Sequence, residues 1–108
     1  MICDIVALEL IRLAPNHERA RGVARRLDAF EAVPMYGSLW PRTRELQLEL
    51  AGNCDHRRVP PADLLIAAAA EASAVTVIHY DRDYERIAAV SDLRQRWLVP
   101  DGTLSSAG

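Results

Sequence analysis

The chain has 108 residues, of which 50% are hydrophobic and 26% charged. That length is one domain, and that balance excludes a disordered chain, which would be poorer in apolar residues. Thirteen arginines against fifteen acidic residues leave a net charge of −2, so no overall field draws nucleic acid or an anionic membrane to the protein.

Residues 2–14 are mostly apolar and run into Pro15-Asn16, which reads as a helix followed by a stop. Residues 17–32 place Ala20, Val23, Ala24, Leu27 and Phe30 at helical spacing, with Arg and Glu outward. Val33 to Tyr36 is a short apolar stretch, open between strand and loop. Ser38 is expected to cap a third helix with Leu39, Leu46 and Leu50 on one side, ended by Gly52-Asn53. Asn53 to Pro61 is a polar loop carrying His56, Arg57 and Arg58, a charged stretch that solvation alone would explain. Pro60-Pro61 then sets the entry to a fourth helix, 62–73, which is apolar almost all round and therefore expected to be buried. Val75 to Tyr80 is the clearest strand: short, β-branched and non-alternating, as in a parallel sheet covered on both faces. Asp81 to Val90 reads as a helix turning off that strand, and Trp97-Leu98-Val99 as a last strand ended by Pro100.

Helices alternating with short buried strands make the fold class α/β. The expected organisation is a domain over residues 1–100 and a flexible tail over 101–108. The longest strictly apolar run, Leu64 to Ala70, is far short of the ~20 residues of a membrane span. Met1-Ile2-Cys3-Asp4 lacks the basic start of a signal peptide, so a cytoplasmic location is expected. Cys3 and Cys54 are too few for a disulfide scaffold and fit no zinc spacing; both are expected to be buried thiols in a reducing compartment. Trp40 and Trp97 are expected in the core or at a dimer contact, and His79 is expected to be packed rather than catalytic.

Four acids stand in unusual company. Glu9 lies in an apolar helical run with Ile5, Val6 and Leu13 as same-face neighbours; Asp63 lies in the first turn of the most buried helix; Asp81 and Asp83 follow the buried strand. Each has an ordinary structural role available. Glu9 can pair with Arg12, Asp63 suits a helix dipole, and Asp81 can cap its helix with Asp83 in the first turn. Arg82 and Arg86 flank these acids and can either contact a phosphate backbone or pair with Glu85. Together the acids suggest a cluster at the carboxyl end of a sheet, where ligand sites of open α/β folds gather. Converging carboxylates repel one another unless a cation joins them, and hard ions such as Mg²⁺ or Mn²⁺ prefer such oxygens.

The stretch His56 to Ala70, containing Val59-Pro60-Pro61-Ala62-Asp63-Leu64-Leu65-Ile66-Ala67-Ala68, resembles the third acidic motif of PIN-domain ribonucleases, in particular the VapC toxins of bacterial toxin–antitoxin pairs. Val75 to Ala88, with His79-Tyr80-Asp81-Arg82-Asp83-Tyr84, is similar to the fourth motif, where Phe is commoner than Tyr84. Ile2 to Leu10 resembles the second motif, with Glu9 as its acid, and Trp97 to Leu104 the closing strand and tail. The resemblance implies a PIN-like parallel β-sheet flanked by helices, with catalytic Glu9, Asp63, Asp81 and Asp83. Glu9, Asp63 and Asp81 would hold Mg²⁺ or Mn²⁺, with the choice between Asp81 and Asp83 open. It also implies endonucleolytic RNA cleavage, a homodimer, and neutralisation by a cognate VapB-like antitoxin.

The family opens with a strand ending in Asp and a small hydroxyl residue. Only eight residues precede Glu9 and none supplies that motif, so the N-terminal strand and the first acid are expected to be missing. Two further readings follow. One is a catalytically inactive, truncated PIN remnant that keeps only antitoxin or dimer binding. The other takes Asp81-Arg82-Asp83 as the Asp-x-Asp of haloacid-dehalogenase-like phosphatases, a motif that belongs near the start of a longer chain and is followed by Thr or Val rather than Tyr84.

Overall fold

The computed structural model describes residues 1–103; the expected tail beyond Thr103 lies outside the described residues. The order is α1 (Asp4–Arg12), α2 (His17–Leu27), α3 (Leu39–Gly52), α4 (Pro61–Ala72), β1 (Val77–His79), α5 (Asp83–Ala88) and β2 (Gln95–Trp97). β1 and β2 pair in parallel, with Val77 opposite Gln95, Ile78 opposite Arg96 and His79 opposite Trp97. The architecture is therefore α/β with a parallel sheet flanked by helices.

α4 is the centre of the molecule. Its residues Leu64 to Ala70 are all buried, on every side of the helix, as its unbroken apolar sequence requires. Ala67, Ala68 and Ala69 are fully buried, and these small side chains let α3 approach closely with Leu46 and Leu50, both 0% exposed. Ile87 of α5, also fully buried, and Val59, ahead of Pro60, complete the core. Arg42 of α3 ties the same two helices at their edge, donating to both carboxylate oxygens of Glu71 at 2.7 and 2.9 Å. The fork-on-carboxylate geometry holds the Glu71 carboxyl below its ordinary range.

The chain opens in extended form rather than on a helix from residue 2: Ile2 bridges Ala32 in parallel, through Ile2 N–H to Glu31 and Val33 N–H to Ile2. The Val33–Tyr36 stretch thus forms no named strand, and the pairing involves the residue before it. Between this bridge and β1 lies an apolar cavity of about 200 Å³, lined by Ile2, Cys3 and Val33 on one side and Val77 and Ile78 on the other. α1 and α2 form a hairpin with no buried residue in either helix. α2 is shorter than its periodicity suggests, ending at Leu27, and Phe30 beyond it is exposed. Asn16 caps α2 by accepting the Arg19 N–H at 2.9 Å.

Three local expectations are corrected. Ser38 occupies the position before α3, but its side chain makes no cap bond; the first turn is closed by Leu39 N–H to Tyr36 instead. Cys54 is exposed, unlike the buried Cys3. Trp40 is 64% exposed, which excludes the core.

Two helix ends share one geometry. After α4, Ala74 has φ +54°, its N–H bonds Glu71 and the Val75 N–H bonds Ala70. After α3, Cys54 has φ +60°, its N–H bonds Ala51 and the Asp55 N–H bonds Leu50. Both are Schellman ends, in which the left-handed residue usually is glycine. Gly52, which the sequence offers as the stop, is the last helical residue instead. A Cβ in the left-handed region costs roughly 1–2 kcal/mol, partly offset in glycine by chain entropy. Ala74→Gly and Cys54→Gly are each expected to stabilise the fold by about 0.5–1 kcal/mol, read as a rise of a few degrees in thermal midpoint.

Candidate metal centre

β1 carries its chain to His79 at the end of the pairing, and the next residues turn into α5. Asp81 sits in this turn. Its N–H donates to His79 Nδ1 at 3.1 Å, and its Oδ1 accepts the Asp83 N–H at 2.9 Å. The second bond is an Asx-type turn just ahead of α5; the N-cap position itself falls on Arg82, so Asp81 does not cap the helix as its place suggested. Because His79 Nδ1 accepts, its Nε2 carries the proton and donates to Gln95 Oε1 at 2.5 Å, which ties the turn to β2. His79 is 8% exposed and packs at a tilt against Tyr84 and Trp97, with ring centroids 5.0 and 4.9 Å away. The imidazole is a packed and fully bonded strut for the turn, as its place in the sequence suggests.

Asp63 reaches the same place from the first turn of α4, held there because Pro60 and Pro61 set the helix start. One carboxylate oxygen from each of Asp63, Asp81 and Asp83 lies within 4.8 Å of the others. Asp81 is exposed, Asp63 half-buried and Asp83 buried. Asp63 is the most strained electrostatically: burial, followed by the charges of Asp81 and Asp83, pushes its carboxyl up to about 6, while a hydrogen bond from Tyr84 pulls the other way. Tyr84 Oη donates to Asp63 Oδ1 at 3.4 Å, and burial with that carboxylate raises the phenol well above its ordinary value. The donor set is all oxygen, carries like charge, and opens to solvent through Asp81. Those are the properties a hard divalent ion fits.

The structure does not bring Glu9 into this group. Ile5 and Val6 pack against the core, but α1 leaves the body of the protein before its last turn. Glu9 is exposed there and accepts from Arg12 Nη2 at 3.0 Å, the ordinary pairing its spacing allows. Leu13, its expected apolar neighbour, is 72% exposed. The flanking arginines also differ from expectation. Neither pairs with Glu85: Arg82 binds Asp101 at 2.7 Å, and Arg86 binds Asp83 at 2.7 Å. Glu85 instead accepts from Trp97 Nε1 at 2.6 Å.

Two participants were not legible as such from the sequence. The Tyr84 hydroxyl on Asp63 is signalled only by Tyr standing where Phe is commoner, and the Gln95 brace on His79 has no sequence signal.

Residues 1–90 match the PIN domain family. The chain is 41% identical to Ribonuclease VapC18 of Mycobacterium tuberculosis (strain ATCC 25618 / H37Rv) over 105 residues, 95% of this chain and 77% of that protein. It is 42% identical to Ribonuclease VapC21 of Mycobacterium tuberculosis (strain CDC 1551 / Oshkosh), over 94% of this chain and 74% of the relative. Ribonuclease VapC51 of Mycobacterium tuberculosis (strain ATCC 25618 / H37Rv) is 37% identical, over 94% of this chain and 73% of its own length. With five-sixths of the chain inside the family's match and relatives at 37–42% identity covered over about three quarters of their length, the chain belongs to the PIN domain family.

Proposed function

We propose that the chain is a VapC-like endoribonuclease that depends on Mg²⁺ or Mn²⁺ and cuts RNA. The observation that carries this reading is the meeting of Asp63, Asp81 and Asp83 within 4.8 Å, in a chain whose relatives are named ribonucleases. A divalent ion held by these carboxylates would neutralise charge at the phosphate and make a water a stronger nucleophile. The chain's own part is positional. The Asp81 turn is fixed by His79 and Gln95, Asp63 is fixed by α4, and Tyr84 holds one Asp63 oxygen. Arg86 neutralises part of the Asp83 charge, so Asp63 and Asp81 are the two freer acids. Glu9 completes the proposed catalytic and metal-holding set. Its exposed ion pair with Arg12 costs little to open.

The same reading includes a homodimer, a VapB-like antitoxin that neutralises the toxin, and a cytoplasmic site of action. No helix among the described residues is long and apolar enough to cross a membrane. The remnant reading, with binding but no cleavage, draws on one observation, the position of Glu9 outside the acidic group.

RNA cleavage by the full chain is expected to require the ion, to stop in EDTA, and to fall by at least about 100-fold in Asp63→Asn. Undiminished cleavage by that variant would sink the proposal, and a folded chain that binds antitoxin but never cuts would favour the remnant.

The raised Asp63 pKa gives a second expectation. Between about 3.8, its ordinary value, and about 6, the folded protein holds more protons than the unfolded chain. The ion-free fold therefore loses stability as pH rises through that window. Asp63→Asn is expected to remove this slope and to stabilise the ion-free protein at pH 7 by about 1 kcal/mol, allowing for solvent screening. In the native chain, Mn²⁺ is expected to raise the thermal midpoint at pH 7 and to lose that effect as pH falls below about 6, where Asp63 takes up a proton. Thermal scans at pH 5 and 7, with and without Mn²⁺, measure both.

A further inference from the structure

The charge of the chain is unevenly placed. α2 carries Arg19, Arg21, Arg25 and Arg26 against Glu18 alone, a net +3 on eleven residues in a chain whose total is −2. All four guanidinium groups are on exposed residues, and among the described residues none has a carboxylate partner. Elsewhere arginines are routinely neutralised: Arg12, Arg42, Arg58, Arg82 and Arg86 each hold an acid. Half of the eight arginines without such a partner therefore sit on this one helix.

Like charges one turn apart, such as Arg21 and Arg25, weaken a helix that has no buried residue to hold it. The arrangement is thus unfavourable for the free protein and is relieved by a polyanion. Its shape suits an extended one. A groove of about 560 Å³ runs along the helix, bounded by Pro15 and Val23 and lined by Arg19, Arg25 and Arg26, with Glu18 as its one acid. Gly22 forms its floor, where nothing lies within 4 Å of the place a side chain would begin, so a strand can approach the helix backbone. Arg19 and Arg26 stand two turns apart, about 10 Å along the axis, and both line the groove. The planar forks match phosphate bidentately. Asp63 lies on α4, Asp81 in the β1–α5 turn and Asp83 at the start of α5, so this surface is on a different element from the three meeting acids; of the proposed set only Glu9, on α1, belongs to a helix that α2 packs against.

We propose that the groove of α2 is a second RNA contact, in which Arg19, Arg25 and Arg26 hold the backbone phosphates of a strand whose cleavage takes place at the acids. The inference rests on the ribonuclease reading and adds to it a surface that sets affinity without reading bases. It would let a protein of net negative charge bind RNA.

The test is fluorescence anisotropy of a labelled 20-nucleotide single-stranded RNA with the full chain in EDTA, across a salt series. The triple variant Arg19→Gln, Arg25→Gln, Arg26→Gln is expected to bind at least tenfold more weakly at 50 mM salt. Its slope of log affinity on log salt should be shallower by about 2, from three lost phosphate contacts at roughly 0.7 each. Glu18→Gln, which removes the repelling acid and no contact, is expected to bind more tightly, and it keeps the test open should the triple variant misfold. Arg44→Gln, an unpaired arginine on α3, serves as the control and should bind like the native chain. Native affinity and slope in the folded triple variant would overturn the groove and leave the ribonuclease reading standing. Native protein that binds no RNA would overturn both. Displacement of the RNA by an equal concentration of a decaglutamate peptide would assign the groove to an acidic protein segment instead.

Discussion

The structure depends on the burial of the middle of α4, Leu64 to Ala70. A helical stretch with no polar face can be accommodated only if other elements cover it on all sides, and here α3, α5 and the first residues of the chain cover Leu64 to Ala70. That burial has a chemical consequence at one end. The first turn cannot retreat from the core, so Asp63 is carried into a half-buried place beside two other carboxylates. The repulsion there is opposed by the packing of Leu64 to Ala70 immediately behind it. Fold and site are thus in mechanical opposition, and a divalent ion is the simplest agent that would relieve it.

The turn carrying Asp81 shows how little covalent machinery such a site needs. One imidazole, neutral and doubly bonded, converts the end of β1 into a rigid bracket, and β2 secures it through Gln95. Tyr84 links this bracket to α4 through its hydroxyl and its ring. Asp63 and Asp83 are therefore held by helices that share a core, and Asp81 by a turn braced between them, which favours reproducible geometry for charge-dependent chemistry.

How much was legible in the sequence varied with the kind of information involved. α4 could be read because its apolar run leaves no other arrangement, and a strand after it was legible, but not its surroundings: β1 is only Val77–His79, with Ile78 53% exposed, rather than a strand covered on both faces. Asp63, Asp81 and Asp83 were placed by adjacency to these elements. Glu9 could not be placed in the same way. Its same-face neighbours are apolar, yet α1 departs from the core after Val6, and periodicity does not say where a helix leaves a surface. The helix stops were misjudged for a related reason. Gly52 is the residue that favours a left-handed cap, but the geometry falls two residues later on Cys54, because the helix length is set by Leu46 and Leu50 packing on α4. The choice of partner for Arg82, Arg86 and Glu85 depended on side-chain reach across elements, which spacing along the chain does not encode.

The unpaired side of β1 has a wider consequence. Among the described residues the strand is bonded to β2 on one edge only, Ile78 is 53% exposed, and the opposite edge looks into the apolar cavity beside Ile2. An open strand edge next to greasy surface is a template for pairing with another chain, and no lysine, proline or bulge blunts it here. In a concentrated preparation the first departure from solution behaviour would be edge-to-edge association, which grows with protein concentration and is not relieved by salt. A single charge at Ile78, on the exposed face of the strand, is the gatekeeper that the natural sequence omits.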